Sequence, residues 1–280
     1  MYKKNECCMI CEGETVYYFS KRYDYYPTAP FEKYWDVDYN RCINCGFVHS
    51  VTHATESRSF WSDLNSSWHH YYEQNLAENP SNPPPYLDQA MALSVLDDHD
   101  LVNLSQAVDY AAGYGTMAKI LRQYMGKNIR IFDEYVRDSY ENDLYLDKSS
   151  LTKFELVVNS AMFEHVLNRA DLDKVNSLVK PGGVLMVHSV ICENVPCDPN
   201  WFYLTPITHT AFHTNRSMSI LMGQWGYTHS VYCPKAKSWF MFSDATDYSN
   251  ISVAIGEINT RLQNEYFLHS RGWLGYWKGF

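Results

Sequence analysis

The sequence predicts an α/β fold with a mostly parallel sheet and a small cysteine-containing module at its N-terminus. Three observations carry this prediction. Residues 107–125 read as a strand, a tight turn of small residues and a helix, further apolar runs alternate with helix-length segments, and two C-x2-C pairs lie within the first 45 residues. A chain of 280 residues is long enough for one large domain or for a medium domain with an appendage.

The composition narrows the class of protein. A hydrophobic content of 46% allows a full core, and the net charge of −9 disfavours a nucleic-acid partner, since tracking a phosphate backbone needs positive charge. The N-terminus leads into cysteines without the apolar stretch of a signal peptide, and no run of about 18 apolar residues predicts a membrane span. With this cysteine spacing in a chain of this length, we expect a cytoplasmic protein.

The two cysteine pairs predict a structural zinc site. Cys8 with Cys11 and Cys42 with Cys45 place two C-x2-C turns 30 residues apart, and two such turns complete a four-thiolate tetrahedral site with no open position. Redox disulfides and reduced structural thiols are the alternatives. Cys7 could replace Cys8 only by giving up the two-residue spacing. Short strands expected at 15–19 and 33–37 make the module ribbon-like.

A proline-rich stretch, residues 79–85, marks a break in the chain. It is followed by a predicted helix over residues 88–103. The expected organisation is a zinc-ribbon module at 1–67, a linker and helix at 68–90, a main domain at 91–245 and a helical and aromatic extension at 246–280.

The turn at residues 111–115 is the main candidate for a nucleotide-type site. Small residues between a strand and a helix let a ligand approach the backbone and the helix N-terminus. Both S-adenosylmethionine and dinucleotides bind such turns. Because Gly113-x-Gly115-x-x-Ala118 also fits the dinucleotide pattern, the turn alone leaves both open.

The elements that follow extend the predicted sheet. The strand at 128–134 ends in acids, and a carboxylate there can hold the ribose of an adenosine-bearing ligand. Asp133 is the first choice and Glu134 the second. Strands at 154–160 and 184–189 flank a helix at 171–179. Strands at 227–233 and 237–243 must pair antiparallel because their connection is too short for a crossover, which disfavours a dinucleotide-binding topology.

Taken in order, these motifs resemble a class I S-adenosylmethionine-dependent methyltransferase. The matching stretches are Asp109-x-Ala111-x-Gly113-x-Gly115, Asp133, Phe154–Val157, Glu164–Val166 and Leu178–Gly183. The resemblance implies a Rossmann-like sheet of seven strands, mostly parallel with an antiparallel last strand, and helices on both faces. With the cysteine pairs and Tyr71-Tyr72, the chain resembles zinc-ribbon methyltransferases of bacterial sugar and polysaccharide biosynthesis clusters.

The resemblance also implies the residues that hold the methyl donor. Ala111 stands where the family has the first glycine of its glycine-rich motif. The implied cofactor-binding residues are Asp109, Ala111, Gly113, Gly115, Asp133, Asn159 and Ser160.

An alcohol acceptor would need a general base, for which histidine has a suitable pKa. The candidates are His209, then His165 and His188, each weighed against a purely structural role. In this fold the loop after the fifth strand covers the acceptor, and here that loop is rich in aromatic side chains. The expected acceptor-binding residues are Tyr71, Tyr72, Trp201, Tyr203 and His213.

The expected function is therefore methylation of a hydroxyl on a sugar, sugar nucleotide or polysaccharide. The alternatives are an RNA base methyltransferase, a nicotinamide-dependent oxidoreductase and a non-enzymatic relic of the fold. The aromatic tail at 272–277 is expected to dock onto the body of the protein, the zinc module or a second copy in a homo-oligomer.

Overall fold

Strands and helices alternate along much of the chain, as the α/β prediction requires. The computed structural model describes residues 7–23, 35–74, 84–136 and 143–276, with only the backbone for 69–74. The strands are β1 (Thr15–Tyr23), β2 (Trp35–Cys42), β3 (Val48–Ser50), β4 (Ala107–Tyr110), β5 (Arg130–Phe132), β6 (Phe154–Ser160), β7 (Val179–His188), β8 (Ile191–Cys192), β9 (Ala211–Thr214), β10 (Tyr227–Cys233), β11 (Ser238–Ser243) and β12 (Leu268–Arg271). The helices are α1 (Arg58–Gln74), α2 (Tyr86–Asp97), α3 (Thr116–Met125), α4 (Arg169–Ser177), α5 (Asn215–Gln224) and α6 (Tyr248–Leu262).

The chain divides into two compact units, each assembled from separate stretches of sequence. The first unit comprises Met1–Ser81, Phe163–Leu172 and Val190–Leu221. The second comprises Asn82–Met162, Asp173–Ser189 and Met222–Phe280. The N-terminal segment therefore shares its unit with two stretches that come much later in the sequence.

The sheet of the first unit has the strand order β1-β2-β3-β9-β8. β1 and β2 form an antiparallel pair, as the ribbon prediction expected, and β3 pairs antiparallel with β9. β8 runs parallel to β9 and is only two residues long. Sequence patterns gave no sign of β8 and β9, because such short strands lack periodicity and take their partners from distant parts of the chain.

The sheet of the second unit has seven strands in the order β12-β10-β11-β7-β6-β4-β5. β4 pairs parallel with β5 and β6, and β6 pairs parallel with β7. β11 pairs antiparallel with both β7 and β10, which confirms the predicted final hairpin. The C-terminal segment supplies β12, which is antiparallel to β10 and was not expected to be a strand.

The core of the second unit explains why its central strands are mostly apolar. Val108, Val157 and Leu185 are fully buried on adjacent strands. Such strands must be apolar on both sides, since parallel strands are covered on both faces of the sheet. On alternate positions of these strands, Ala107, Leu156 and Met186 form a core cluster to which helices α2, α3 and α6 contribute Leu93, Leu121 and Ile255. The amphipathic helices thus fix the ends of β4 and β6, where ligand-binding side chains are expected.

Several element boundaries differ from the sequence prediction, and those of α2 and β7 have a clear physical reason. α2 ends at Asp97 and not at residue 103, because the Asp97 carboxylate accepts a hydrogen bond from the Leu104 amide (2.8 Å) and pairs with Lys127. β7 begins at Val179, so the Pro-Gly-Gly stretch belongs to the strand. At Gly183 an added Cβ would lie 2.8 Å from the Glu155 carbonyl oxygen, which leaves no room for a side chain.

The C-terminal aromatic residues pack on the sheet of their own unit. The Trp273 ring stacks on Trp239 with centroids 4.9 Å apart, and the Trp239 indole N–H donates to the Leu274 carbonyl (2.8 Å). Of the expected docking surfaces, the body of the protein holds the tail as far as Tyr276; Trp277 lies outside the described residues. Within the described ranges, every helix is too short or too polar to cross a membrane.

Candidate functional site

The turn between β4 and α3, here called the glycine turn (residues 111–115), has the backbone geometry of a ligand-binding turn. Ala111, Gly113 and Gly115 all have positive φ, at 64°, 56° and 70°. At Gly115 a Cβ would lie 2.7 Å from the Ile131 side chain, whereas at Gly113 it would meet nothing within 4 Å. The turn therefore leaves open space beside the Gly113 backbone, next to the N-terminus of α3.

Asp133 is tied directly to the glycine turn. Its Oδ2 accepts a hydrogen bond from the Gly113 amide (2.8 Å), and its Oδ1 accepts from the amides of Tyr135 and Val136 (2.8 and 3.0 Å). Glu134 instead pairs with Lys148 and Lys174 at 3.1 and 3.4 Å. Between the two acids considered for the ribose, the structure brings Asp133 to the turn and leaves Glu134 with the lysines.

Two buried side chains at the ends of β4 and β6 have oxygen atoms that no described residue satisfies. They are Asp109 Oδ1 and Asn159 Oδ1. Burial, together with the negative charge of Asp133, raises the pKa of Asp109 to about 8. Asn159 uses its amide Nδ2 to hold the Tyr110 carbonyl (3.1 Å), so its oxygen remains available as an acceptor. Unsatisfied buried acceptors of this kind fit a ligand that carries a positively charged group.

Ser160 completes this edge of the sheet, and it leads to a residue that the sequence analysis missed. Its hydroxyl donates to Gln89 Oε1 on α2 at 3.1 Å. Gln89 was overlooked because it belongs to no motif; the signal was an amide at a position within the apolar face of a predicted helix.

The first unit holds a second group of polar residues, here called the histidine cluster (Glu164, His165, Tyr203 and His209). The ligand atoms of Glu164, His165 and His209 all lie within 4.8 Å of one another. The Tyr203 hydroxyl donates to Glu164 Oε1 at 2.5 Å, and the two imidazole rings meet edge to face at 4.8 Å. Two of the predicted catalytic histidines are thus brought together beside a buried carboxylate.

His209 has a defined tautomer in this cluster. Its Nδ1 lies 2.7 Å from the Tyr203 carbonyl oxygen, which can only accept a hydrogen bond. Nδ1 must therefore carry the proton, and the lone pair is on Nε2. This imidazole can accept a proton, or coordinate a metal ion, through Nε2.

His188 and His213 lie in apolar surroundings. Burial lowers the pKa of each imidazole to about 4. His188 Nδ1 donates to the Lys237 carbonyl at 2.7 Å. His213 is fully buried against the rings of Phe47 and Phe163. In this arrangement His213 has no access to an acceptor, and a pKa near 4 makes His188 a weak proton acceptor at neutral pH.

The remaining predicted acceptor-binding residues are divided by the structure. Trp201 and Tyr203 lie together, with ring centroids 5.4 Å apart, and Tyr203 contacts His209 at 4.4 Å. Trp201 is largely buried. Tyr71 and Tyr72 belong to α1, but their side chains lie outside the described residues.

The four predicted metal ligands converge. The Sγ atoms of Cys8, Cys11, Cys42 and Cys45 all lie within 4.8 Å of one another, with Cys8 and Cys45 3.7 Å apart and Cys11 and Cys42 3.5 Å apart. Gly46 has a φ of 75°, which turns the backbone after the second pair. Backbone amides of Ile10 and Cys45 point at the sulfurs of Cys8 and Cys42 (3.4 and 3.5 Å). These N–H donors stabilise thiolates, the form that binds a metal.

Comparison with known proteins agrees with the fold and the glycine turn. The family model described as "Methyltransferase domain" matches residues 60–230, which is more than half of the chain. A search of curated proteins gave no match.

Solved structures of similar fold include several methyltransferases. The plantazolicin methyltransferase BpumL in complex with SAH is 10% identical, with 75% of this chain and 93% of that chain covered and a TM-score of 0.44. A SAM-dependent methyltransferase from Aquifex aeolicus is 12% identical, with 62% and 96% covered and a TM-score of 0.39. Coclaurine N-methyltransferase is 14% identical, with 63% and 61% covered and a TM-score of 0.35.

The family match rests on the sequence that contains the glycine turn, Asp133 and the strands that position them. The open backbone at Gly113 and the unsatisfied acceptors of Asp109 and Asn159 fit a donor with an adenosine and an α-ammonium group. The chain belongs to the methyltransferase-domain family, and it is an enzyme that transfers a methyl group from S-adenosylmethionine.

Proposed function

We propose that the enzyme methylates a hydroxyl of a sugar, sugar nucleotide or polysaccharide, and that His209 removes the hydroxyl proton. The observation that carries the proposal is the tautomer of His209: the Tyr203 carbonyl accepts from Nδ1, so the lone pair is on Nε2, and the Glu164 carboxylate belongs to the same cluster. An alcohol stays protonated at neutral pH, so it gains more from a general base than an amine or a thiolate does. A base built this way favours an oxygen acceptor.

The methyl donor and the protein have separate roles in the reaction. When bound, S-adenosylmethionine supplies a methyl group on a positively charged sulfur. The acceptor oxygen forms its bond to that methyl as the carbon–sulfur bond breaks, and the hydroxyl proton passes to His209 Nε2. Glu164 then stabilises the imidazolium by charge, and the Tyr203 hydroxyl keeps the carboxylate in place.

The sugar assignment is supported by the resemblance to methyltransferases of sugar biosynthesis clusters and by Trp201 and Tyr203. Aromatic rings of this kind stack on the apolar faces of sugar rings.

The donor would be held by the second unit. Asp133 is proposed to bind the ribose, and Asp109, Asn159 and Ser160 to surround the amino-acid end. Ala111, Gly113 and Gly115 would present the backbone. The residues present fit this donor, because the acceptors left unsatisfied at Asp109 and Asn159 match its positive charge.

We also propose that the four cysteines bind a structural Zn²⁺ ion. A tetrahedral site with zinc–sulfur bonds of about 2.3 Å has sulfurs about 3.8 Å apart. The observed 3.7 and 3.5 Å are close to that spacing and far from the roughly 2.05 Å of a disulfide. Four thiolates leave no coordination position for a substrate, so the ion would be structural.

The function is tested by assaying the purified enzyme with S-adenosylmethionine against sugars and sugar nucleotides, with products identified by mass spectrometry. His209→Gln should lower kcat by about 10²–10⁴-fold and leave the donor Kd unchanged. The same substitution at His99, which bonds the Val95 carbonyl outside the cluster, is the control.

Two outcomes would overturn the assignment of His209. One is a His209→Gln enzyme with normal kcat. The other is activity that disappears with a chelator and returns with a divalent cation while the four cysteines keep their zinc. That result would make Glu164, His165 and His209 metal ligands, which their spacing also permits. Methylation of an amine or a carbon, with no sugar oxygen modified, would exclude the proposed acceptor.

A further inference from the structure

The buried amide of Gln89 has half of its hydrogen-bonding capacity unused. Gln89 lies in the first turn of α2 and is 0% exposed. Its Oε1 accepts a hydrogen bond from the Ser160 hydroxyl at 3.1 Å. Its Nε2 has no partner among the residues that the structure describes. A buried amide nitrogen without an acceptor is costly, so its presence calls for an explanation.

The neighbouring unsatisfied atoms have the opposite character. Asp109 Oδ1 and Asn159 Oδ1 are acceptors, whereas Gln89 Nε2 is a donor. All three side chains belong to the second unit, and Ser160 connects Gln89 to the end of β6, where it follows Asn159. The edge of the sheet therefore offers acceptors for a cation together with one amide donor for an anion.

This combination matches the amino-acid end of the methyl donor, which carries an α-ammonium and an α-carboxylate. We propose that Gln89 is a donor-binding residue and that its Nε2 donates a hydrogen bond to the α-carboxylate. Among the three unsatisfied atoms, Gln89 Nε2 is the one nitrogen, and an amide nitrogen can only donate. The Nδ2 of Asn159 is already bonded to the Tyr110 carbonyl, and the Asp109 carboxyl would repel a carboxylate once it ionises beside the ammonium.

The position of Gln89 on its helix supports the same ligand group. The N-terminus of α2 carries partial positive charge from its exposed amides, and this favours a carboxylate in the first turn. In the structure the Ser160 hydroxyl donates to Oε1, and Nε2 is left without an acceptor among the described residues. Gln89 would contact only the methyl donor, so its role is the same whichever acceptor is methylated.

The test compares two ligands that differ in the amino-acid end. S-adenosylhomocysteine carries the carboxylate, and 5′-methylthioadenosine lacks the whole amino-acid portion. Calorimetric titration of Gln89→Leu should show at least a tenfold loss of affinity for the first ligand and less than a twofold change for the second. Gln89→Glu should bind S-adenosylhomocysteine more weakly still, because its carboxylate repels the ligand's.

Met91→Leu, on an exposed position of the same helix, is the matched control and should bind both ligands as the wild type does. Equal losses for both ligands in Gln89→Leu would show that Gln89 only packs α2 and would overturn the proposal. Unchanged affinity for both would overturn it as well. If Gln89→Leu does not fold, Gln89→Met provides the same comparison with a side chain of similar length.

Discussion

The two units build their sites in opposite ways. In the second unit the glycine turn and Asp133 come from adjacent strands that are parallel neighbours, and the residues lie within about 25 positions of one another in the sequence. In the first unit the cysteines and the histidine cluster depend on stretches that are far apart. The Thr214 hydroxyl donates to the Cys45 carbonyl (2.6 Å) across 169 residues, and the Arg169 guanidinium to the Met9 carbonyl (3.4 Å) across 160.

Because the two sites are built differently, we expect a substitution that disrupts one of them to leave the other intact. The donor-binding residues of the second unit depend on the backbone conformation of the glycine turn and on one buried core. The first unit has long-range hydrogen bonds and a small five-stranded sheet, and the proposed zinc ion would join Cys8 and Cys11 to Cys42 and Cys45. Small modules of this kind commonly depend on their metal for folding.

The largest expected effect is removal of the zinc. Cys45→Ser should lose the metal and with it the structure of the first unit, since zinc binding contributes on the order of 10 kcal/mol in small zinc modules. The second unit should keep its affinity for S-adenosylhomocysteine. Metal content by mass spectrometry and hydrogen exchange across the chain would show both effects.

Cys7→Ser is the matched control, because Cys7 is exposed and adjacent to Cys8 but outside the group of four sulfurs. It should retain one zinc ion and normal exchange rates. A Cys45→Ser protein that keeps its zinc, or one in which both units unfold together, would contradict the expectation that zinc stabilises the first unit alone.

The next largest effect is a dependence of stability on pH that arises in the second unit. Burial and Asp133 raise the pKa of Asp109 to about 8, well above its value in the unfolded chain. Between about pH 4 and 8 the folded protein therefore keeps a proton that the unfolded chain has lost, so this residue makes stability fall as pH rises and has no further effect above the folded pKa.

Asp109→Asn removes this titration while keeping the shape of the side chain. The free energy of unfolding of the variant, relative to the wild type, should rise through that pH window by an amount on the order of a few kcal/mol. Denaturant unfolding of the second unit at pH 5 and pH 8 measures it. If the difference in unfolding free energy between wild type and variant is the same at both pH values, Asp109 is ionised in the folded protein.

The smallest expected effects distinguish two glycines of the glycine turn, Gly115 and Gly113. Gly115→Ala places a methyl group 2.7 Å from the Ile131 side chain at a φ of 70°, so it should lower stability by about 1–3 kcal/mol. Gly113→Ala meets no neighbour within 4 Å and should cost less stability, but it should weaken donor binding by about tenfold, or about 1.4 kcal/mol.

Gly126→Ala is the control for Gly113→Ala, since its φ of 65° is similar and it too has no neighbour within 4 Å, but it lies at the other end of α3. It should cost stability without changing donor affinity. If Gly113→Ala leaves donor affinity unchanged, the open space at the turn is not where the donor binds. Thermal unfolding and calorimetric titration give the two quantities separately.

Much of the second unit could be read from local sequence. The small residues at 111–115 predicted the turn, and the apolar runs at 154–160 and 227–243 predicted strands that the structure contains. These patterns are informative because backbone conformation, strand burial and short connections are decided within a few residues. The unexpected strand β12 is the exception, since Leu268–Arg271 becomes a strand only by pairing with β10.

By itself, then, the sequence determined the α/β class, the family, the glycine turn and the pairing of cysteines into two C-x2-C turns, because each depends on residues close together in the chain. Only the tertiary structure decided that 190–221 joins the N-terminal segment in one unit, that Glu164 and His165 meet His209, and that Gln89 reaches Ser160. These contacts join residues up to 181 positions apart and depend on how buried polar groups are satisfied, for which a linear pattern carries no signal.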